Sequence, residues 1–115
     1  MRRDVLLLNE MIKAAERAHE LVGDLDEDAL AADELRRDAL LWNLTVLGEA
    51  AANLSDELKD AHADVPWRQP ASLRNRIVHG YWSIDLRIIH TTAVSILPTF
   101  AEQLRQVLAR VAAEP

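Results

Sequence analysis

No stretch of this 115-residue chain alternates polar and apolar residues with period two, whereas apolar residues recur every three or four positions along most of its length. That pattern excludes half-buried strands and predicts helices. Val5, Leu8, Met11, Ile12, Ala15, Ala18 and Val22 mark one face of a helix from about Asp4 to Val22, which Gly23 should stop. Asp24 to Asp28 reads as an acidic linker, with a short turn through Leu30. Asp33 suits the cap of a second helix, with Glu34 in its first turn.

The second helix carries two stripes. One is Leu40, Leu44, Leu47, Ala51, Leu54 and Leu58; the other is Leu35, Ala39, Trp42 and Val46, continuing to Glu49 and Asn53. An offset of two residues is roughly 200° around the axis, so the stripes lie on opposite faces. Burial on both sides is expected, one side being available to another subunit. The pattern leaves open whether the helix breaks near Ser55. Asp64 to Trp67 reads as loop, and Ala71 to about Val78 as a short helix ending at Gly80. Pro disfavours helical backbone in the residue before it, so this helix is expected to start at or after Pro70. Asp85 suits the cap of a last helix along Leu86, Ile89, Ala93, Ile96, Phe100, Leu104, Val107 and Val111, which Pro98 should kink. The expected architecture is an all-α bundle of four or five helices, a single domain over residues 1–115.

Half of the residues are hydrophobic and 28% charged, which suits a globular domain. No apolar run approaches the roughly 20 residues of a membrane span. Met1-Arg2-Arg3-Asp4 leads straight into a helical pattern rather than a secretory leader, so a cytoplasmic protein is expected. The absence of cysteine removes disulfides, thiolate zinc sites and thiol nucleophiles. His19, His62, His79 and His90 show no i,i+4 pairing, and no metal site is expected.

A net charge of −6 argues against a nucleic-acid partner until its distribution is considered. Residues 65–90 hold Arg68, Arg74, Arg76 and Arg87 against Asp85 alone, while the remaining chain has nine basic and eighteen acidic residues. Trp67, Tyr81 and Trp82 fall in the same cationic window. Both tryptophans read as core residues rather than surfaces for stacking bases.

Within the window, Leu73-Arg74-Asn75-Arg76-Ile77-Val78-His79-Gly80-Tyr81-Trp82 carries the chemistry. Arginine presents a planar fork to phosphate oxygens and keeps its charge. Histidine moves protons near neutral pH, asparagine positions, and tyrosine stacks or donates a hydrogen bond. These suffice to cleave RNA without a metal, the 2′-hydroxyl attacking its own phosphate while arginine stabilises the added charge. Arg74 and His79 stand roughly 140° apart on a regular helix, whereas Asn75 and His79 share a face. The reaction wants two proton shuttles and one chain offers one histidine here; a two-fold dimer would supply the second. The same residues also fit a plainer reading. Arg74 and Arg76 would then be solvated or paired with acids such as Glu49, and His79 would favour a helix C-terminus.

The segment resembles the HepT branch of the HEPN superfamily. Arg74, Asn75, Arg76-Ile77-Val78 and His79 fill the superfamily's pattern of arginine, polar residue, three variable residues and histidine; Tyr81 matches the tyrosine that the HepT branch adds. Arg3-Asp4, Gly48-Glu49-Ala50, Pro66-Trp67-Arg68, Ile84-Asp85-Leu86 and Leu97-Pro98 extend the likeness along most of the chain. Gln69-Pro70 departs from it where the family usually keeps an apolar residue. The resemblance implies a homodimeric, metal-independent endoribonuclease toxin acting on transfer or messenger RNA at a composite cleft. It implies an MntA-type nucleotidyltransferase antitoxin that uses ATP to attach AMP to the motif tyrosine, this chain itself needing no cofactor. Carried over, Arg74 stabilises the phosphorane, His79 is general acid or base, Asn75 positions them, and Tyr81 is modified. Arg76, Arg68 and Glu49 are supports. The alternative is a non-catalytic helical partner that holds nucleotide or substrate for such a nucleotidyltransferase; a purely structural dimerisation bundle would leave the cationic window without a purpose.

Overall fold

The computed structural model describes residues 2–113 and contains no strand among them. Helix α1 spans Arg2–Val22 and buries Leu8, Met11, Ile12, Ala15, Ala18 and Val22, the face its periodicity predicts. Gly23 ends it in the left-handed region, φ +46°, where a side chain would be strained. The acidic stretch that follows is not merely a linker. Its acids favour a helix start, and α2 forms over Glu27–Ala32 with the Asp26 carboxylate accepting from the Ala29 N–H. Asp33 serves two helices, its N–H closing α2 on Ala29 and Leu30 while its carboxylate caps α3 at the Arg36 N–H.

Helix α3 covers Glu34–Asn53 and α4 covers Asp56–Ala61, with extended Leu54 between them. The break is fixed by Ser55. Its hydroxyl accepts from the Leu58 N–H and donates to buried Asp4 at 2.6 Å, while its own N–H donates to the same carboxylate at 2.9 Å. Asp4 thus ties the start of α1 to the α3–α4 corner.

Helix α5 spans Arg68–His79, two residues earlier than expected. The N–H that Pro70 lacks would have bonded the Pro66 carbonyl, which instead accepts from Gln69 at 3.2 Å. A proline in a first turn therefore forfeits nothing. A 3₁₀ turn, Tyr81–Ser83, follows. Asp85 caps α6, Leu86–Thr91, at the Arg87 N–H, and a wide π-type turn over Thr92–Ile96 joins α6 to α7, Leu97–Ala113. Pro98 accounts for that turn. The Leu97 N–H bonds Thr92, and Pro98 has no N–H for the Ala93 carbonyl, so the His19 Nδ1–H donates to it from α1 at 2.9 Å.

Helix α1 lies between α3 and α7, and α5 packs against the far side of α3. Gly48 sits at the α3–α5 crossing, where a Cβ would collide with the Arg74 Cβ and the Pro70 carbonyl. The inner stripe of α3 is buried throughout, together with Leu41 and Ala50, and of the outer stripe Val46 packs against the core. On the outer stripe Leu35 is 86% and Trp42 66% exposed, contrary to the burial expected. Trp67 is buried and its indole N–H donates to the His62 carbonyl at 2.9 Å, whereas Trp82, expected in the core, is 88% exposed.

Candidate functional site

Helices α3 and α5 run antiparallel, so one face of α3 meets both ends of the Arg74–Tyr81 segment. Asp38 and Glu49 are eleven residues apart, roughly 20° around the axis and about 16 Å along it. Glu49 Oε2 pairs with an Arg74 terminal nitrogen at 3.2 Å, and Asp38 Oδ1 accepts from the Tyr81 hydroxyl at 2.6 Å.

Arg74 is the most constrained member. Its second terminal nitrogen donates to Asn75 Oδ1 at 2.9 Å, and its Nε–H is buried without a partner. Behind it the Asn53 amide donates to the Glu49 carbonyl at 2.8 Å and to its Oε1 at 3.3 Å, while Arg3 donates to Asn53 Oδ1 at 3.4 Å. The guanidinium is thereby held at the surface in one orientation, part of its fork uncommitted.

Asn75 and His79 sit one turn apart on the outward side of α5, with Ser72 and Arg76 beside them, all exposed. Gly80 ends the helix, its N–H bonding the Arg76 carbonyl at 3.0 Å, and turns the chain so that Tyr81 reaches back to α3. The Asp38 hydrogen bond holds the Tyr81 hydroxyl above its ordinary pKa, since the carboxylate favours the protonated phenol and its charge opposes a phenolate. Arg37 approaches Asp38 Oδ1 at 3.8 Å.

The structure brings Arg74, Asn75 and Glu49 together and sets His79 one turn beyond Asn75. It separates the other arginines. Arg68 begins α5, roughly 16 Å along the axis from His79. Arg87 pairs with Asp85 at 3.2 Å, which holds that carboxyl below its usual range. Arg76 lines a groove of about 570 Å³ between α5 and the α6–α7 side, whose apolar walls include Leu44, Leu47, Leu73, Ile88, Ile96 and Phe100. Asp38, Arg3 and Asn53 are partners that residue types did not single out. Asp38 was detectable only through its eleven-residue spacing from Glu49. Among the described residues no group of three or more His, Asp or Glu side chains converges to hold a metal ion, and no helix is long and apolar enough to cross a membrane.

Comparison with known proteins finds relatives that bear ribonuclease names. A candidate RNase of Caldanaerobacter subterraneus subsp. tengcongensis is 28% identical over 101 residues, 88% of this chain and 90% of that protein. A candidate ribonuclease HepT of Thermococcus cleftensis is 26% identical over 102 residues, 86% of this chain and 93% of its own length. A candidate RNase of Methanocaldococcus jannaschii is 24% identical over 104 residues, 90% and 95% of the respective chains. No solved structure matches. The family model described as ribonuclease HepT-like matches residues 11–107, nearly the whole helical body and all of the Arg74–Tyr81 segment, and the chain belongs to that family.

Proposed function

We propose that this chain is a metal-independent endoribonuclease, the toxin of a HEPN/MNT toxin–antitoxin pair, and that it works in the cytoplasm as a homodimer of one 115-residue domain. The observation that carries the chemistry is the pairing of a fixed arginine with an exposed histidine. Glu49 and Asn75 hold the Arg74 fork, and His79 stands free on the same segment. The 2′-hydroxyl of RNA attacks the adjacent phosphorus, forming the 2′-O–P bond and breaking the P–5′-O bond. Arg74 neutralises the charge that builds on the phosphoryl oxygens. One histidine takes the 2′ proton and the other gives a proton to the leaving 5′-oxygen; a single chain has one, and a second copy supplies its equivalent. A two-fold contact along α5 and its apolar groove would face the two segments toward each other. Arg76 and Arg68 supply further positive charge for the RNA backbone.

Tyr81, partly exposed, is the site at which an MntA-type nucleotidyltransferase would attach AMP from ATP and silence the toxin. Added phosphate beside Asp38 would place two negative groups together and displace the turn that follows His79.

The test is cleavage of total cellular RNA in EDTA by wild type and by His79→Ala, with intact mass establishing that neither is modified and circular dichroism that both are folded. Cleavage by wild type alone is expected. Equal cleavage by both would remove His79 from the mechanism. One observation favours the binding-partner alternative: both terminal nitrogens of Arg74 already have protein partners. Retained RNA or nucleotide binding with no cleavage by wild type would establish it.

A further inference from the structure

The Tyr81 hydroxyl donates to Asp38 Oδ1 at 2.6 Å, the short distance of a charge-assisted hydrogen bond. The two residues are 43 positions apart, so the fold makes this contact and no local turn does. An exposed tyrosine gains little stability from one such bond, because water offers its hydroxyl the same. As chemistry the contact is more informative. An activated nucleophile has a base within hydrogen-bond reach and a third group that orients the base. Here Arg37 Nε stands 3.8 Å from Asp38 Oδ1, and Arg37 is itself fixed by donating to the Ala31 carbonyl of α2 at 3.0 Å. Arg37 also approaches Glu34 at 3.7 Å; Asp38, Arg37 and Glu34 are the charges that act on the hydroxyl. Among the described residues no group donates to Tyr81 Oη, whose lone pairs stay open, and the residue is 44% exposed.

We propose that Asp38 is the base that takes the Tyr81 proton when the phenolic oxygen receives an adenylyl group, so that this chain supplies both nucleophile and base for its own modification. The inference rests on the reading of Tyr81 as the AMP acceptor and adds the residue that activates it. In the step, Oη attacks the α-phosphorus of a nucleoside triphosphate. The Oη–P bond forms, the bond from phosphorus to the pyrophosphate oxygen breaks, and the hydroxyl proton passes to Asp38 Oδ1. A free phenol ionises only near about pH 10, so near neutral pH almost none of it is phenolate. The Asp38 bond lowers that fraction further by favouring the protonated form. A proton acceptor already in place at the moment of attack removes the need for prior ionisation, as the catalytic aspartate of protein kinases does for a substrate hydroxyl. Arg37 beside Asp38 offsets the repulsion between the carboxylate and an incoming phosphate.

The experiment uses adenosine 5′-phosphorimidazolide, which carries an activated AMP group and needs no enzyme, so that only this chain's residues act. Wild type, Asp38→Asn and Asp38→Glu, each shown to be folded by circular dichroism, are labelled from about pH 7 to about pH 9, below the ordinary tyrosine range. Peptide mass mapping reads the rate at Tyr81, the sole tyrosine. Asparagine keeps an oxygen for the hydroxyl but cannot take its proton. Asp38→Asn should label about a hundredfold more slowly near pH 7, and Asp38→Glu within about tenfold of wild type. The ratio of wild type to Asp38→Asn cancels the donor's own pH dependence, and it should fall about tenfold per pH unit as phenolate takes over the reaction. A ratio that stays constant with pH, or equal rates throughout, would overturn Asp38 as the base and leave Tyr81 as the acceptor. Labelling of other residues of wild type with none on Tyr81 would overturn the inference and the reading beneath it together.

Discussion

Replacing Gly48 by alanine gives a test in which two well-understood effects have opposite signs. In an unobstructed helix interior, Gly→Ala stabilises by about 1 kcal/mol, because glycine loses more backbone freedom on folding. Gly48 is in the interior of α3 and would show that gain if nothing faced it. Its Cβ, however, would land on the Arg74 Cβ and the Pro70 carbonyl. Neither can step aside, one being backbone and the other the root of a side chain tied to Glu49 and Asn75. Separating α3 from α5 places the substitution near the top of the overpacking range, roughly 3 kcal/mol. The net expectation is a loss of about 2 kcal/mol, a fall in Tm of about 8 °C for a domain of this size. Urea unfolding followed by circular dichroism, at one protein concentration for both chains, measures it. RNA cleavage should fall further than the folded fraction accounts for, since the displacement also parts Arg74 from Glu49. A variant as stable as wild type, or more so, would refute the close crossing and with it the reason Arg74 is held where it is.

Tyr81 is the sole tyrosine, so absorbance near 295 nm reports its ionisation alone. The midpoint should lie above 10.0, and Asp38→Ala should bring it down. Because the folded value is the raised one, the link contributes its full stability below pH 10 and loses it as pH rises through the folded midpoint, so Asp38→Ala should flatten that alkaline fall. A wild-type midpoint at or below 10.0 would contradict the hydrogen bond. Asp4→Asn should cost about 1.5–3 kcal/mol in urea unfolding, since a buried carboxylate that accepts two hydrogen bonds from Ser55 becomes a neutral amide; an unchanged midpoint would remove Asp4 from the α3–α4 corner. Arg74→Lys should lower RNA cleavage about a hundredfold without unfolding the chain, because an ammonium cannot hold Glu49, Asn75 and a phosphoryl oxygen in one plane; near-normal turnover would argue against the fork.

The helices with long apolar stripes were legible from spacing, as were the caps at Asp33 and Asp85, because both signals are local. The short helix α2 was hidden by its composition: the acids that made residues 24–28 look like solvated linker are what a helix N-terminus favours. The break after Asn53 was hidden for the opposite reason, Leu54 and Leu58 continuing a helical stripe across it; what settles it is Asp4, some fifty residues away. Pro70 misled because its cost depends on which carbonyl is left unbonded, and Pro66 is served by Gln69. In the site, the residue types of the Arg74–Tyr81 segment were plain. The partners that orient them were not. Asp38 meets Tyr81, and Glu49 meets Arg74, only because α3 and α5 are antiparallel in one register. Trp82 misled because a tryptophan's size predicts burial, while its place in a short turn at the bundle's edge offers nothing to bury it against.

The twelve residues from Asp38 to Glu49, eleven helical steps, act as a fixed gauge. Their helical rise sets the distance between the Arg74 contact and the tyrosine-bearing turn, and their whole number of turns keeps both contacts on one side. One residue inserted between them would rotate the contacts about 100° out of phase and lengthen the span by about 1.5 Å, so that α5 could keep Arg74 in place or Tyr81 in place, but not both. A change of length within residues 38–49 should therefore not be tolerated, whatever the substitutions around it.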